Sequence, residues 1–164
     1  MAEGATIQPD DILLRRLPPP PQESTTDEPG RGRRANSNKL CPRKGVDHNG
    51  ASYSRFPPTA PLRILDLLYS QELPPELSDP ETWLVCWIRA REAMDIGLIL
   101  THDPDPPESD PGHCFIDSEP DVTKGKTKRM WKRLADCTFR RVFDYSTAER
   151  IITPSDLPGW IEWL

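Results

Sequence analysis

Trp83-Leu84-Val85-Cys86-Trp87-Ile88 is the stretch that decides the fold. Six apolar residues in a row, rich in aromatic and β-branched side chains, lie between Pro80 and Arg89. The run is short for a helix and shows no alternation in polarity, so it reads as a strand buried on both faces. Such a strand sits inside its sheet, and the flanking sequence must supply its neighbours and its covering layers.

Toward the C-terminus, Arg89–Asp95 reads as a short helix closed by Gly97, because glycine readily takes the left-handed conformation that ends a helix. Leu98–Thr101 is a second strand. The loop DPDPPESDPG after His102 carries too many prolines for a helix or a central strand. His113–Asp117 is a third strand. Lys124–Cys137 is a basic helix with Met130, Trp131, Leu134 and Cys137 on one side. Phe139–Phe143 reads as a fourth strand, and Thr153–Leu164 adds a final turn of helix. The order strand–helix–strand–strand–helix–strand predicts an α+β fold: a small mixed sheet of about four strands with two or three packed helices. Its predicted single core contains Trp83, Val85, Trp87, Leu98, Leu100, Phe115, Trp131 and Leu134.

Toward the N-terminus the apolar signal thins. Leu62, Leu65, Leu68 and Tyr69 recur at helical spacing, which makes PLRILDLLYS (61–70) a helix ending before Pro74. Residues 40–58 are punctuated by glycine and proline and read as turns, with a brief strand at Gly45–His48. The chain has 20 prolines in 164 residues, and Pro18–Pro21 form an uninterrupted run that favours an extended spacer. The polar stretch after it has too little apolar surface to offset the entropy of ordering, so 18–39 is expected to be mobile. The resulting division is a mostly disordered, Pro-rich and basic tail at 1–39 and a single α+β domain at 40–164. Within the tail, ILLRRL (12–17) forms a short strand that can add to the edge of the sheet.

Charge is laid out in blocks. Gly30–Lys44 holds six Lys/Arg and no acid, Asp103–Asp121 holds seven acids and no base, and Lys124–Arg141 holds eight bases against Asp136 alone. With a net charge of −5 the molecule as a whole does not attract polyanions, so any such binding must come from a local face. No apolar run is long enough to cross a bilayer, and the acidic start MAEGATIQPDD lacks the pattern of a signal peptide. The expected location is the cytoplasm, with no membrane partner. Cys41, Cys86, Cys114 and Cys137 are widely spaced without a C-x-x-C pair, and in that compartment they read as reduced packing residues.

Two constellations carry chemistry. His102-Asp103 and His113-Cys114 flank the acidic loop, and antiparallel pairing of their strands brings both histidines to neighbouring strand ends. A histidine whose tautomer is fixed by a carboxylate can act as acid or base near neutral pH, which makes His102, Asp103 and His113 the candidate catalytic set. The plainer alternative is that both histidines bond the loop backbone. Lys126, Arg129, Lys132 and Arg133 form a one-sided basic stripe, the candidate anion-binding set, against the alternative of a solvated helix face. Asp47-His48-Asn49 has the opening of a His–Asn nuclease motif, but with three histidines in all the remainder is missing. The acidic loop lacks EF-hand spacing, so neither a metal site nor a cofactor is expected. P-loop, G-x-G-x-x-G, G-x-S-x-G and H-E-x-x-H patterns are absent, which disfavours nucleotide-dependent and common hydrolytic chemistry.

Leu13-Leu14-Arg15-Arg16, Gly45-Val46-Asp47, LILTHDP at Leu98–Pro104, Pro111–Ile116 and Leu134-Ala135 form a pattern that resembles a loose family of small uncharacterised bacterial proteins. The likeness spans about residues 11–143. The chain departs from it in the long Pro18–Arg34 insertion and in His48, where the family pattern has a basic residue. The resemblance implies a bacterial origin and supports the domain limits; it implies no activity.

Two functions follow as expectations. The first is an accessory, protein-interaction protein of a bacterial defence or toxin-related locus, with a protein partner and weak nucleic-acid binding through the basic helix. The second is a small enzyme acting on nucleic acid or a nucleotide, with His102 and His113 as acid and base.

Overall fold

A computed structural model describes residues 7–18, 20–56, 84–105 and 110–144. The decisive apolar run becomes a strand over Leu84–Arg89, and its neighbours in space come from opposite ends of the chain. In chain order the elements are β1 (Ile12–Leu17), α1 (Pro21–Ser24), β2 (Thr25–Glu28), β3 (Gly32–Ala35), α2 (Ser37–Leu40), β4 (Ala51–Phe56), β5 (Leu84–Arg89), α3 (Ala90–Ile96), β6 (Ile99–His102), β7 (His113–Asp117), α4 (Lys124–Asp136) and β8 (Val142–Asp144). Six strands form one sheet in the order β6-β7-β4-β1-β5-β8, and β2-β3 form a separate hairpin. From β5 onward the element order is the expected one, and the fold is α+β. The sheet is larger than the expected four strands. It is also not mixed, since every neighbouring pair runs antiparallel.

The strand at 12–17 is not an edge addition. β1 lies between β4 and β5, and pairs with β5 from Ile12↔Arg89 to Leu17↔Leu84. Ile12, Leu13, Leu14 and Leu17 are all buried, as a central strand requires. Before it, the Ala90 amide donates to Asp11 O and the Arg91 amide to Pro9 O, both at 2.9 Å, so residues 9–11 are tied to the start of α3.

β4 replaces the turns expected at 51–56, and the turn lies instead at Gly45–His48, where the Val46 and Asp47 amides donate to Arg43 O. ASYSRF carries few large apolar residues, yet Tyr53, Ser54 and Arg55 are buried. Gly50 permits the entry: at φ 113° it lies so close to β7 that a Cβ there would sit 2.9 Å from Ile116 O.

In place of the expected mobile spacer, residues 20–40 form two short helices and a hairpin. Ser24 Oγ donates to Pro18 O at 2.5 Å, and the Asn36 amide donates to Ser24 O at 2.8 Å. Ala35 and Leu40 are fully buried in the main core. Few apolar residues are needed here because the segment lies on a core the rest of the chain has already built.

Directly opposed residues share a face of the sheet. Leu13, Leu17, Tyr53, Cys86, Ile88, Cys114 and Ile116 share one face, and their core also contains Ala90 and Ala93 of α3 and Met130, Trp131, Leu134 and Ala135 of α4. Ile12, Leu14, Val85 and Trp87 are buried on the other face. The predicted single core is therefore two-sided: Val85 and Trp87 are divided by the sheet from Trp131 and Leu134. Leu98 is buried, and Leu100 and Phe115 are half-buried. Trp83, the 61–70 helix and the terminal turn at 153–164 lie outside the described residues. α3 ends as expected at Gly97, left-handed at φ 101°. The last strand begins three residues later than expected, at Val142, because Phe139–Arg141 turn around Arg140 at φ 63°.

Candidate functional site

The β6–β7 pairing decides how the candidate catalytic residues meet. His102 opposes Cys114 in register, which places Asp103 opposite His113. The Asp103 amide donates to His113 O at 3.1 Å, and the His113 Nδ1–H donates to Asp103 Oδ2 at 2.8 Å. Asp103 Oδ1 in turn accepts the Asp105 amide at 3.0 Å, which fixes the carboxylate. Fixing Nδ1 as the protonated nitrogen leaves Nε2 as the basic one, the arrangement needed for general-base work. Phe115, two residues along the same face, meets the His113 ring edge-on at 5.0 Å.

His102 does not join this pair. Successive strand residues point to opposite faces, so His102 shares the face of Tyr53 and Arg55. Its Nδ1 lies 3.3 Å from Arg55 Nη2 and accepts from it. Arg55 Nη1 reaches Asp11 Oδ2 at 3.3 Å, and Asp11 Oδ2 also accepts the Gln8 amide at 2.8 Å. Arg55 is 1% exposed and Asp11 3%. Asp11–Arg55–His102 is thus a polar tie across the sheet, buried at Asp11 and Arg55 and half-buried at His102, from the start of β1 to β6. The structure brings Asp103 and His113 together and leaves His102 on the opposite side of the sheet.

Ser54 opposes His113 across β4 and β7, which lines up Ser54, His113 and Asp103 across one face. The Ser54 hydroxyl donates to buried Asp110 Oδ2 at 2.9 Å, and Asp110 Oδ1 accepts the Gly112 amide at 3.2 Å. Its proton is therefore directed at Asp110 and not at His113. Residue-by-residue reading missed Ser54, Asp11 and Arg55 because their partners lie 44 to 56 positions away.

The basic helix is placed as its apolar spacing requires. Thr123 Oγ1 caps α4 by accepting the Lys126 amide at 3.3 Å, and Met130, Trp131, Leu134 and Ala135 anchor the inner side. Lys126, Arg129, Lys132 and Arg133 are all exposed on the outer side, and Lys124 and Lys128 are exposed along the flank nearer the buried residues. Among the described residues none of these six forms an ion pair. Two acids of the block that precedes the helix are engaged elsewhere: Asp103 with His113, and Asp110 with Ser54 and Gly112. The one acid of the helix, Asp136, lies 3.7 Å from Arg34 of the hairpin.

Among the described residues no group of three or more His, Cys, Asp or Glu could hold a metal ion, and no helix is long and apolar enough to cross a membrane. All four cysteines are free thiols. Burial pushes the Cys86 and Cys114 thiols up to about 12 and Cys137 to about 11, which suits packing residues rather than nucleophiles. Asp47, of the nuclease-like triplet, is held below the usual carboxylate range mainly by its hydrogen bond from Arg43. No family model matches the chain, and no curated protein and no solved structure matches it either.

Proposed function

We propose that this chain is an accessory binding protein whose working surface is the outer side of α4, docked on a polyanionic partner. The observation that carries this reading is the set of exposed cations at Lys126, Lys128, Arg129, Lys132 and Arg133, without an ion pair among the described residues. The arrangement is costly for a helix by itself. Lys128–Lys132 and Arg129–Arg133 are like-charge pairs at i,i+4, each disfavoured by roughly 0.2–0.5 kcal/mol. Lys124 and Lys126 stand in the first turn, which holds no acid, against the positive end of the helix dipole. Burial of Trp131 and Leu134 holds the helix in spite of these terms, and a polyanion relieves them. Retention on heparin or polyglutamate tests the reading. A variant with glutamine at Lys126, Arg129, Lys132 and Arg133 is expected to lose retention with a melting temperature equal to or slightly above that of the parent. Equal retention of variant and parent would remove α4 from the function.

The 2.8 Å Asp103–His113 pair supports a second reading, a small enzyme acting on nucleic acid or a nucleotide. In that reading His113 is the base and Asp103 orients it, while His102 takes no part in the same site because it faces the other side of the sheet. Activity against a panel of nucleotides and nucleic acids, lost in His113→Gln and kept in His102→Gln, would support it.

A further inference from the structure

The outer side of α4 continues into the β2–β3 hairpin. Arg34 reaches Asp136 in the last turn of α4, and the Arg140 amide donates to Arg33 O at 3.0 Å. Arg31 lies at the hairpin end with its guanidinium 4.0 Å over the Phe139 ring, three residues past the helix. Its side chain remains 55% exposed although it also pairs with Glu28 at 3.4 Å, and Arg140 is exposed too. Asp136 lies in line with Arg129, Lys132 and Arg133 on the helix wheel, so the hairpin adjoins the C-terminal end of the basic side.

Resting on the reading of α4 as a docking surface, we propose that its partner is the phosphate backbone of a nucleic-acid duplex, gripped jointly by α4 and by Arg31 and Arg140. Two observations favour a duplex over an acidic protein or a single strand. The exposed large hydrophobic residues described are Val46, Met94 and Ile99, none of them on α4 or the hairpin. A protein interface is organised around buried aromatic or aliphatic anchors, whereas this surface offers no exposed large hydrophobic residue among those described. A single strand is held by stacking bases on aromatic rings, and the aromatic ring here, Phe139, already has Arg31 over it. What remains is point charge spread along a helix of about 20 Å. Duplex phosphates repeat every ~3.4 Å per strand, so a face of that length meets several phosphates and no base edges. Binding is therefore independent of sequence and steep in salt.

The test is fluorescence anisotropy of the full chain with a labelled duplex of random sequence, between 50 and 200 mM salt (about the range over which such contacts are lost). The five cations of α4 with Arg31 and Arg140 make about seven phosphate contacts, a log–log salt slope near −6 for B-form DNA. The glutamine variant at Lys126, Arg129, Lys132 and Arg133 is expected to weaken binding by more than about tenfold and flatten the slope by about 3 to 4. Arg31→Gln is expected to flatten it by about 1, and an unrelated duplex sequence to change nothing. An unchanged slope in Arg31→Gln would remove the hairpin from the site. Preference for a single strand, or affinity that survives high salt, would overturn the duplex assignment. Absent duplex binding with polyglutamate retention intact would overturn this inference and leave the docking function standing. If neither ligand is held, both fall.

Discussion

Thr138 and Ala35, 103 positions apart in the chain, share a hydrogen bond: the Ala35 amide donates to Thr138 Oγ1 at 2.8 Å. The same hydroxyl donates to Ala135 O at 2.6 Å, and both residues are fully buried. One side chain just past α4 thereby holds the end of the hairpin against the helix.

Removing that hydroxyl strands a buried amide. Thr138→Val should cost about 1–3 kcal/mol, the usual penalty for an unsatisfied buried donor. Hydrogen exchange should show the loss concentrated in residues 25–35, with β5 still protected. Uniform loss across the sheet would mean the hairpin does not depend on this contact.

The Asp11–Arg55 pair makes a second case. Arg55→Met alone leaves Asp11 buried without its 3.3 Å partner, and removing one member of a buried pair costs about 3–5 kcal/mol. Arg55→Met combined with Asp11→Asn should recover much of the loss. Chemical denaturation of the parent, both single variants and the double closes that cycle; additive losses would show the two groups to be uncoupled.

Leu134 is fully buried on the inner side of α4. Leu134→Ala should cost about 2–5 kcal/mol through lost contacts and the cavity left behind. An unaltered melting temperature would mean that α4 is not anchored through this side chain.

Alkaline pH should destabilise the fold through its thiols. Burial raises Cys86 and Cys114 from 9.0 to about 12, so the folded state favours the protonated thiol. This contribution is complete below about pH 9 and is lost as pH rises toward about 12, where the folded thiols would ionise. Stability measured from pH 8 upward should fall, and Cys86→Ala with Cys114→Ala should flatten that fall. A slope unchanged by both substitutions would assign alkaline sensitivity to other groups.

The sequence was legible where one chain segment carries its own reason. WLVCWI, the glycine after α3, His113–Asp117 and the apolar side of α4 each announce an element by local pattern. β4 does not, because ASYSRF owes its place to distant partners: Tyr53 Oη donates to Leu40 O at 3.0 Å, and Arg55 is neutralised by Asp11. The hairpin escaped for the same reason, since Ala35 is buried against a helix more than ninety residues away in sequence. Of the candidate site, the Asp103–His113 pair follows from the short β6–β7 connection. The separation of His102 turns on a one-residue register that composition does not contain. The basic side of α4 could be read directly because helical spacing alone sorts its inner from its outer residues.

The central position of β1 has a consequence for synthesis. ILLRRL is made about seventy residues before its partner β5. Until β5 follows, an apolar strand has left the ribosome with its β5 edge open, the kind of exposure that invites association with other chains. Closing so long a loop before any pairing is gained is also slow. Arg15 and Arg16 lie in the middle of this strand, and paired charges there oppose stacking between nascent copies. In the folded protein Arg15 is taken up by Lys39 O at 2.6 Å and Ser52 O at 2.8 Å, so a residue that guards the unfinished chain becomes a clasp of the finished one.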